Sequence, residues 1–204
     1  MNHDAMPRKY FKISLALALS AALIACTAAE QPPVEPPLAG ADIGGPFELV
    51  NKDGETVTWQ DFDGQYRIVY FGFTYCPDIC PSDVQRTIQG LTRFAEQEPD
   101  AAAQIQPIFI SIDPERDTPS IVGEFTAAFS DDLIGLTGTP EQVKRAADNF
   151  RVFYSRGEDT PGGGYLVDHS AIVYLFGKSG EPLATLPTDQ GGEAVAAELA
   201  KWVS

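Results

Sequence analysis

The hydrophobic pattern changes period along this chain, and each change marks an element. Arg67 to Phe73 is an almost unbroken apolar and aromatic run (Ile68, Val69, Tyr70, Phe71, Phe73), the mark of a strand buried on both faces. Two short extended runs precede it, Phe47 to Val50 and Glu55 to Thr58. Between them Asn51-Lys52-Asp53-Gly54 has turn composition, with glycine supplying positive φ, so a hairpin is predicted. Beyond the central run, Ser82 to Glu96 places Val84, Ile88, Leu91 and Phe94 at helical spacing, and Ser82 with Gln85 matches a capping box. Ile105 to Ile112 returns to an apolar strand. Thr118-Pro119 then opens a helix with Ile121, Val122, Phe125 and Phe129 on one side.

Leu133 to Leu136 predicts a further short strand, and Thr139-Pro140-Glu141-Gln142 repeats the cap logic for a helix carrying Val143, Ala146, Ala147 and Phe150. Gly157 to Gly164, with Pro161 and three consecutive glycines, reads as a flexible loop between Arg151 to Ser155 and an extended run, Tyr165 to Phe176. Ser179-Gly180 tips another hairpin, and Glu193 to Val203 is an amphipathic helix with Val195, Leu199 and Val203 inward. Strand-helix-strand order implies parallel crossovers. Strands alternating with helices, then a hairpin and a terminal helix, is the order of a thioredoxin-like α/β fold, here with an N-terminal β-hairpin and a hairpin insertion near the candidate site.

That domain occupies residues 46–204, and what precedes it has a different character. Arg8, Lys9 and Lys12 stand before an apolar run, Ile13 to Ala25, that is short for a membrane span, so residues 1–25 are predicted to be a signal peptide. Leu23-Ile24-Ala25-Cys26 resembles the bacterial lipobox. Cys26 is therefore expected to carry a lipid and tether the mature protein to a membrane of the bacterial cell envelope, its domain facing the periplasm or another extracytoplasmic side. Residues 26–45 complete this region with proline pairs and small residues, a linker in which about 14 residues of extended chain reach roughly 40 Å.

Charge narrows the partners. Lys and Arg total 14 against 29 Asp and Glu, a formal net charge of −15, which gives no footing on a phosphate backbone and excludes nucleic acid. Loss of the signal segment removes both methionines and His3, leaving Cys76, Cys80 and His169 as the soft metal donors. Methionine-rich copper sites and blue-copper sites with an axial methionine are thereby excluded.

The two cysteines stand where the central strand ends and a helix begins, where amide N–H groups and the helix dipole stabilise thiolates. Four residues apart on a helical turn, their Cβ atoms are about 5–6 Å apart. That separation admits a disulfide or a shared metal ion. His169, after the glycine-rich loop, begins a segment that the fold brings near the end of the central strand. Two sulfurs and a nitrogen suit copper as Cu(I) or Cu(II), whereas structural zinc wants a fourth protein ligand. Two other readings stand beside this one. A stapling Cys76–Cys80 disulfide would close too short a loop to restrain much chain entropy. A redox-active dithiol is the stronger competitor, although C-x3-C departs from the C-x-x-C of dithiol oxidoreductases and no proline precedes Ala171. If copper ties His169 to the cysteine turn, the Gly157 to Gly164 loop is expected to become ordered on binding.

Three motifs together resemble the Sco/SenC family: Tyr70-Phe71-Gly72-Phe73-Thr74-Tyr75-Cys76-Pro77-Asp78-Ile79-Cys80-Pro81, Asp113-Pro114-Glu115-Arg116-Asp117-Thr118-Pro119, and Val167-Asp168-His169-Ser170 followed by Tyr174-Leu175. The resemblance spans Gly44 to Val203. It implies a copper chaperone, not an enzyme, with Cys76, Cys80 and His169 as ligands. Its implied task is assembly of the dinuclear copper site of cytochrome c oxidase, with that oxidase's copper-binding subunit as partner. A thiol-disulfide oxidoreductase reducing the subunit's cysteines, or a redox sensor, would use the same Cys76–Cys80 pair. In Asp113 to Pro119 only a turn and a helix cap are readable, and Asp78 reads either as an outer ligand or as a first-turn acid complementing the helix dipole, the second being preferred.

Overall fold

The structure, a computed structural model, describes residues 34–160 and 163–204. The signal segment, Cys26 and the Pro161-Gly162 tip of the predicted loop lie outside the described residues.

The central strand β3 (Tyr66–Gly72) is buried along its whole length. Parallel to it runs β4 (Ile105–Ser111), and parallel to that β5 (Ile134–Leu136). On its other side lie β8 (Val173–Phe176), antiparallel to it, and β9 (Pro182–Leu186), antiparallel to β8, giving the order β5-β4-β3-β8-β9. The N-terminal hairpin, β1 (Glu48–Val50) with β2 (Thr56–Thr58), and a second hairpin, β6 (Tyr154–Asp159) with β7 (Tyr165–His169), stand apart from this sheet. The helices are α1 (Ile79–Gln97), a single turn α2 (Pro99–Ala102), α3 (Pro119–Ala127), α4 (Pro140–Asn149) and α5 (Gly192–Trp202).

Alternation along β3 divides the core. Tyr70 and Gly72 face α1, where Tyr70 bonds Asp83 and Gly72 lies under Cys80. Phe71 faces the other way, into an aromatic cluster with Phe150, Trp59 and Phe176. Such edge-to-face stacking adds to simple area burial and locks the β1–β2 hairpin region and the end of α4 onto the sheet.

Five local expectations are corrected. Helix α1 begins at Ile79, one turn before the Ser82 cap. Ser82 instead donates its hydroxyl to the Asp78 carbonyl at 3.0 Å, and Pro81, with no N–H, suits the first turn. The buried stripe of α1 is also rotated: Asp83, Thr87 and Gly90 are inside, while Ile88 and Leu91 are half-buried. Gly90 admits α5, because a Cβ there would lie 2.4 Å from Val195 Cγ1.

The extended run from Tyr165 to Phe176 is two strands, not one. It breaks at Ser170 to Ile172, so that β7 pairs with β6 while β8 joins the main sheet. Likewise the predicted loop is strand as far as Asp159, because β6 finds β7 as a partner through a bulge between Arg156 and Asp159. The segment assigned by composition to the linker is laid along the domain from Leu38 onward. Leu38 N–H donates to Leu183 O at 3.0 Å, Gly44 N–H to Asn149 O at 2.9 Å, and Leu38 and Ile43 pack against the core.

Candidate metal centre

The end of β3 and the first turn of α1 position both sulfurs. Cys80 is fully buried, its Sγ seated over Gly72, where a Cβ would stand 3.2 Å from the sulfur and 2.9 Å from the Phe109 ring. A side chain at position 72 would press on the Phe109 ring and on the thiol. Cys76 is half-buried, and its Sγ accepts the Cys80 N–H at 3.4 Å. This sulfur thus takes the place of the side-chain cap that Asp78 does not provide, and an orphan amide of the helix start is aimed at it. Both thiols are free, and exposed Asp78 stays outside the donor cluster.

His169 comes from the last residue of β7, opposite Tyr154. Its Nδ1 lies 3.1 Å from Ser170 O, an arrangement in which Nδ1–H donates and Nε2 keeps the lone pair. That Nε2 stands 3.3 Å from Cys80 Sγ. The Phe73 and Tyr70 rings meet the imidazole edge-on at 6.0 and 6.2 Å and wall it on the protein side. The donor atoms of Cys76, Cys80 and His169 all lie within 4.8 Å of one another. Metal–donor lengths of about 2.0–2.3 Å in a trigonal site separate donors by roughly 3.5–4 Å, so one ion fits with small adjustments. The three residues singled out in the sequence are therefore brought together.

Burial sets the protonation of the metal-free site. It pushes the Cys80 thiol up to about 12, with the neighbouring Cys76 sulfur adding to the rise. Burial also holds the His169 imidazole below its ordinary value, against the opposing pull of the Ser170 carbonyl and of Asp83 and Asp168. Neutral imidazole is the ligand form. The Cys80 proton must leave when a metal binds.

Around the donors lie residues that spacing did not disclose. Beneath Cys80, the buried Tyr70 hydroxyl donates to buried Asp83 at 3.1 Å, and burial raises the phenol well above its usual value. Asp117, fully buried, accepts from Thr74 N–H at 3.0 Å, Thr74 Oγ1 at 2.6 Å and Ser111 Oγ at 2.6 Å. It ties the approach to Cys76 onto the end of β4. Arg116 bonds Asp113 and the Tyr165 carbonyl. The segment readable only as a turn and a helix cap thus builds the floor of the site, while Thr118 does cap α3 through Ile121 N–H.

Residues 35–204 match the family model described as SCO1/SenC. A curated relative, the mitochondrial SCO1 homolog 1 of Arabidopsis thaliana, is 45% identical over 143 residues, covering 70% of this chain and 42% of the relative. The mitochondrial SCO1 homolog of Homo sapiens is 40% identical over 158 residues, covering 78% and 52%. The chain thus spans about half the length of these relatives. Among solved structures, Arabidopsis thaliana ScoI with copper bound superposes with a TM-score of 0.73 at 38% identity, over 78% of this chain and 96% of that one.

Proposed function

Since this chain belongs to the SCO1/SenC family, we propose that it is a copper chaperone that carries one copper ion on Cys76, Cys80 and His169 and delivers it to the copper-binding subunit of cytochrome c oxidase. The observation that carries this reading is the convergence of two thiols and one imidazole nitrogen, with no carboxylate among the donors and with Cys76 and His169 only half-buried. Thiolate sulfur selects copper from the harder divalent ions, and three donors leave room for an incoming one. Transfer then proceeds by ligand exchange. A partner thiolate enters as a ligand of this chain leaves, and copper is never released free.

The surroundings favour a protein partner. Among the described residues six large apolar side chains are exposed, and five of them, Tyr75, Ile79, Phe153, Leu166 and Ile172, stand on the ligand-bearing segments or pair with them. An apolar rim around a reactive centre is what a docking protein covers.

The test is anaerobic titration of the reduced full chain in detergent. It is expected to take up one equivalent of copper, with thiolate-to-copper charge-transfer absorption for Cu(II). Absence of a tight site in both oxidation states would refute the chaperone role. A second reading, reduction of the subunit's cysteines, is favoured by one observation: Cys76 is accessible while Cys80 is buried, the asymmetry of an attacking and a resolving thiol. His169→Ala separates the two. It removes a ligand and spares the dithiol, so oxidase assembly that survives it undiminished points to the reductase.

Among the described residues no helix is long and apolar enough to cross a membrane. Attachment through a lipid on Cys26, in the bacterial envelope, follows from the Leu23-Ile24-Ala25-Cys26 motif. Mass spectrometry of the mature N-terminus is expected to find a lipid-modified Cys26. An intact signal segment, or unmodified Cys26 on a freely soluble protein, would refute it.

A further inference from the structure

The hairpin that carries His169 has few hydrogen bonds to the rest of the domain, although Val167 is buried against the core. Among the described residues, hydrogen bonds from β6 and β7 to other parts of the fold run through two places. One is the site itself, where His169 Nε2 meets Cys80 Sγ. The other is at the opposite end of β7, at Tyr165. Its carbonyl accepts from Arg116 Nη1 at 2.9 Å, and its hydroxyl donates to Asp113 Oδ1 at 2.6 Å and, at 3.4 Å, to Glu115. The remaining hydrogen bonds of the hairpin stay within it or join Phe153 to Ser170 at its base.

Arg116 is the centre of the second attachment. Its Nε donates to the buried Asp113 carboxylate at 2.5 Å, which fixes the plane of the guanidinium. One face of that plane covers the Tyr165 ring, with the guanidinium carbon 3.7 Å from the ring centroid. The same carbon is 4.9 Å from the centroid of Tyr75, the residue before Cys76, and 5.8 Å from that of Phe73. Phe73 in turn meets the His169 imidazole edge-on. One guanidinium therefore touches the loop that carries the first sulfur, the strand that ends in the imidazole ligand, and the ring that walls that imidazole. None of these contacts is with a donor atom. A planar fork that can bond in two directions and stack is specific to arginine, because a lysine ammonium is a point charge without a stacking face.

We propose that Arg116 is a positioning residue: by latching the β6–β7 hairpin to the Cys76 loop it holds His169 over the two sulfurs and sets how long copper stays on all three ligands. This rests on the copper-binding reading above. With the latch closed, the imidazole is presented at a fixed place and rebinds after each dissociation. With it open, the hairpin remains joined to the domain at Phe153–Ser170 and swings the imidazole away, leaving copper on two sulfurs and open to an incoming ligand. The bulge in β6 and Gly157, whose Cβ position is 3.1 Å from Leu166 O, give this hairpin the deformable backbone such motion needs.

The test compares wild type with Arg116→Ala and Arg116→Lys as full chains in detergent. Without metal, amide exchange in residues 154–160 and 163–169 is expected to quicken in Arg116→Ala, with α1 and the central sheet unchanged. With Cu(I) loaded, transfer to a bathocuproine chelator is expected to quicken by about tenfold or more, the effect of losing two charge-assisted contacts. In the Cu(II) form the nitrogen superhyperfine pattern in the electron paramagnetic resonance spectrum is expected to weaken. Amide exchange in α5 and β9, which no hydrogen bond joins to the hairpin, is expected to move less than twofold. General loosening of the fold would move it together with the rest. If Arg116→Ala does not fold, Arg116→Lys carries the test, with transfer several-fold faster than wild type. Wild-type transfer and wild-type hairpin exchange in whichever variant folds overturns the proposal. Exchange in the metal-free chain tests the latch alone, whereas failure of the wild type to take up copper counts against the copper reading.

Discussion

Cys80→Ser is expected to remove tight copper binding while leaving the domain folded. The substitution is nearly isosteric, in a place where Cys80 Sγ is enclosed by Gly72, Phe109 and the first turn of α1. A hydroxyl there keeps a partner within reach of the Tyr70–Asp83 pair, so a stability change of about 1 kcal/mol, or roughly 2–4 °C in Tm, is expected. Loss of an outer partner of a metal ligand commonly costs about 10–100-fold in affinity, and loss of a thiolate ligand exceeds that. Competition against a Cu(I) chelator is therefore expected to show a fall of more than about 100-fold. Retention of wild-type affinity by Cys80→Ser would show that the buried sulfur is not a ligand. The pH dependence in wild type follows from the same burial. Cys80 holds its proton through neutral pH, being pushed up to about 12, and copper displaces it. Each proton released on binding makes the apparent affinity fall by about tenfold per unit as pH falls, down to the point where His169 also protonates. Affinity independent of pH between 6 and 8 would contradict a protonated resting thiol.

Asp117→Ala is expected to be the most destabilising single change near the site. The carboxylate is fully buried and accepts one amide and two hydroxyl hydrogen bonds. Removal strands the Thr74 N–H in the interior and frees the approach to Cys76 from the end of β4. An unpaired buried donor costs about 1–3 kcal/mol, and with the two hydroxyls left to find new partners a loss of about 3 kcal/mol is expected. For a domain of this size that lowers Tm by roughly 6–12 °C. Asp117→Asn keeps an acceptor in place and is expected to lose far less. The two variants also differ from wild type in pH response. Burial raises the folded carboxyl above its unfolded value near 4, so its ionisation subtracts stability as pH rises from about 4 through the folded value. Asp117→Asn lacks that slope. Thermal melts of Asp117→Ala that match wild type would refute the role assigned to this carboxylate.

The three ligands were legible because each depends on something local. Cys76 and Cys80 sit four residues apart at a strand-to-helix junction, and although Cys76 lies in the turn before α1 rather than on it, so short a separation keeps the two sulfurs close. Central strand β3 announced itself by an apolar run, and the capping box at Thr139 and Gln142 forms as its short-range hydrogen bonds require. Even the imidazole followed from inventory, since residues 46–204 contain one histidine.

What lay hidden depends on partners distant in the chain. Periodicity cannot tell that Asp83 faces inward, because only the approach of Tyr70 thirteen positions away gives its carboxylate a donor. Nor can it tell that β6 exists, since a glycine-bearing, polar stretch becomes a strand only when β7 supplies the ladder. Asp117 reaches Thr74 across 43 positions and Arg116 reaches Tyr165 across 49. The sequence by itself singled out the candidate donor residues, through residue type and local spacing. The tertiary structure decided how they are protonated, what holds them in place and which hairpin brings the imidazole to them, because burial and long-range hydrogen bonds arise only once the chain has closed on itself.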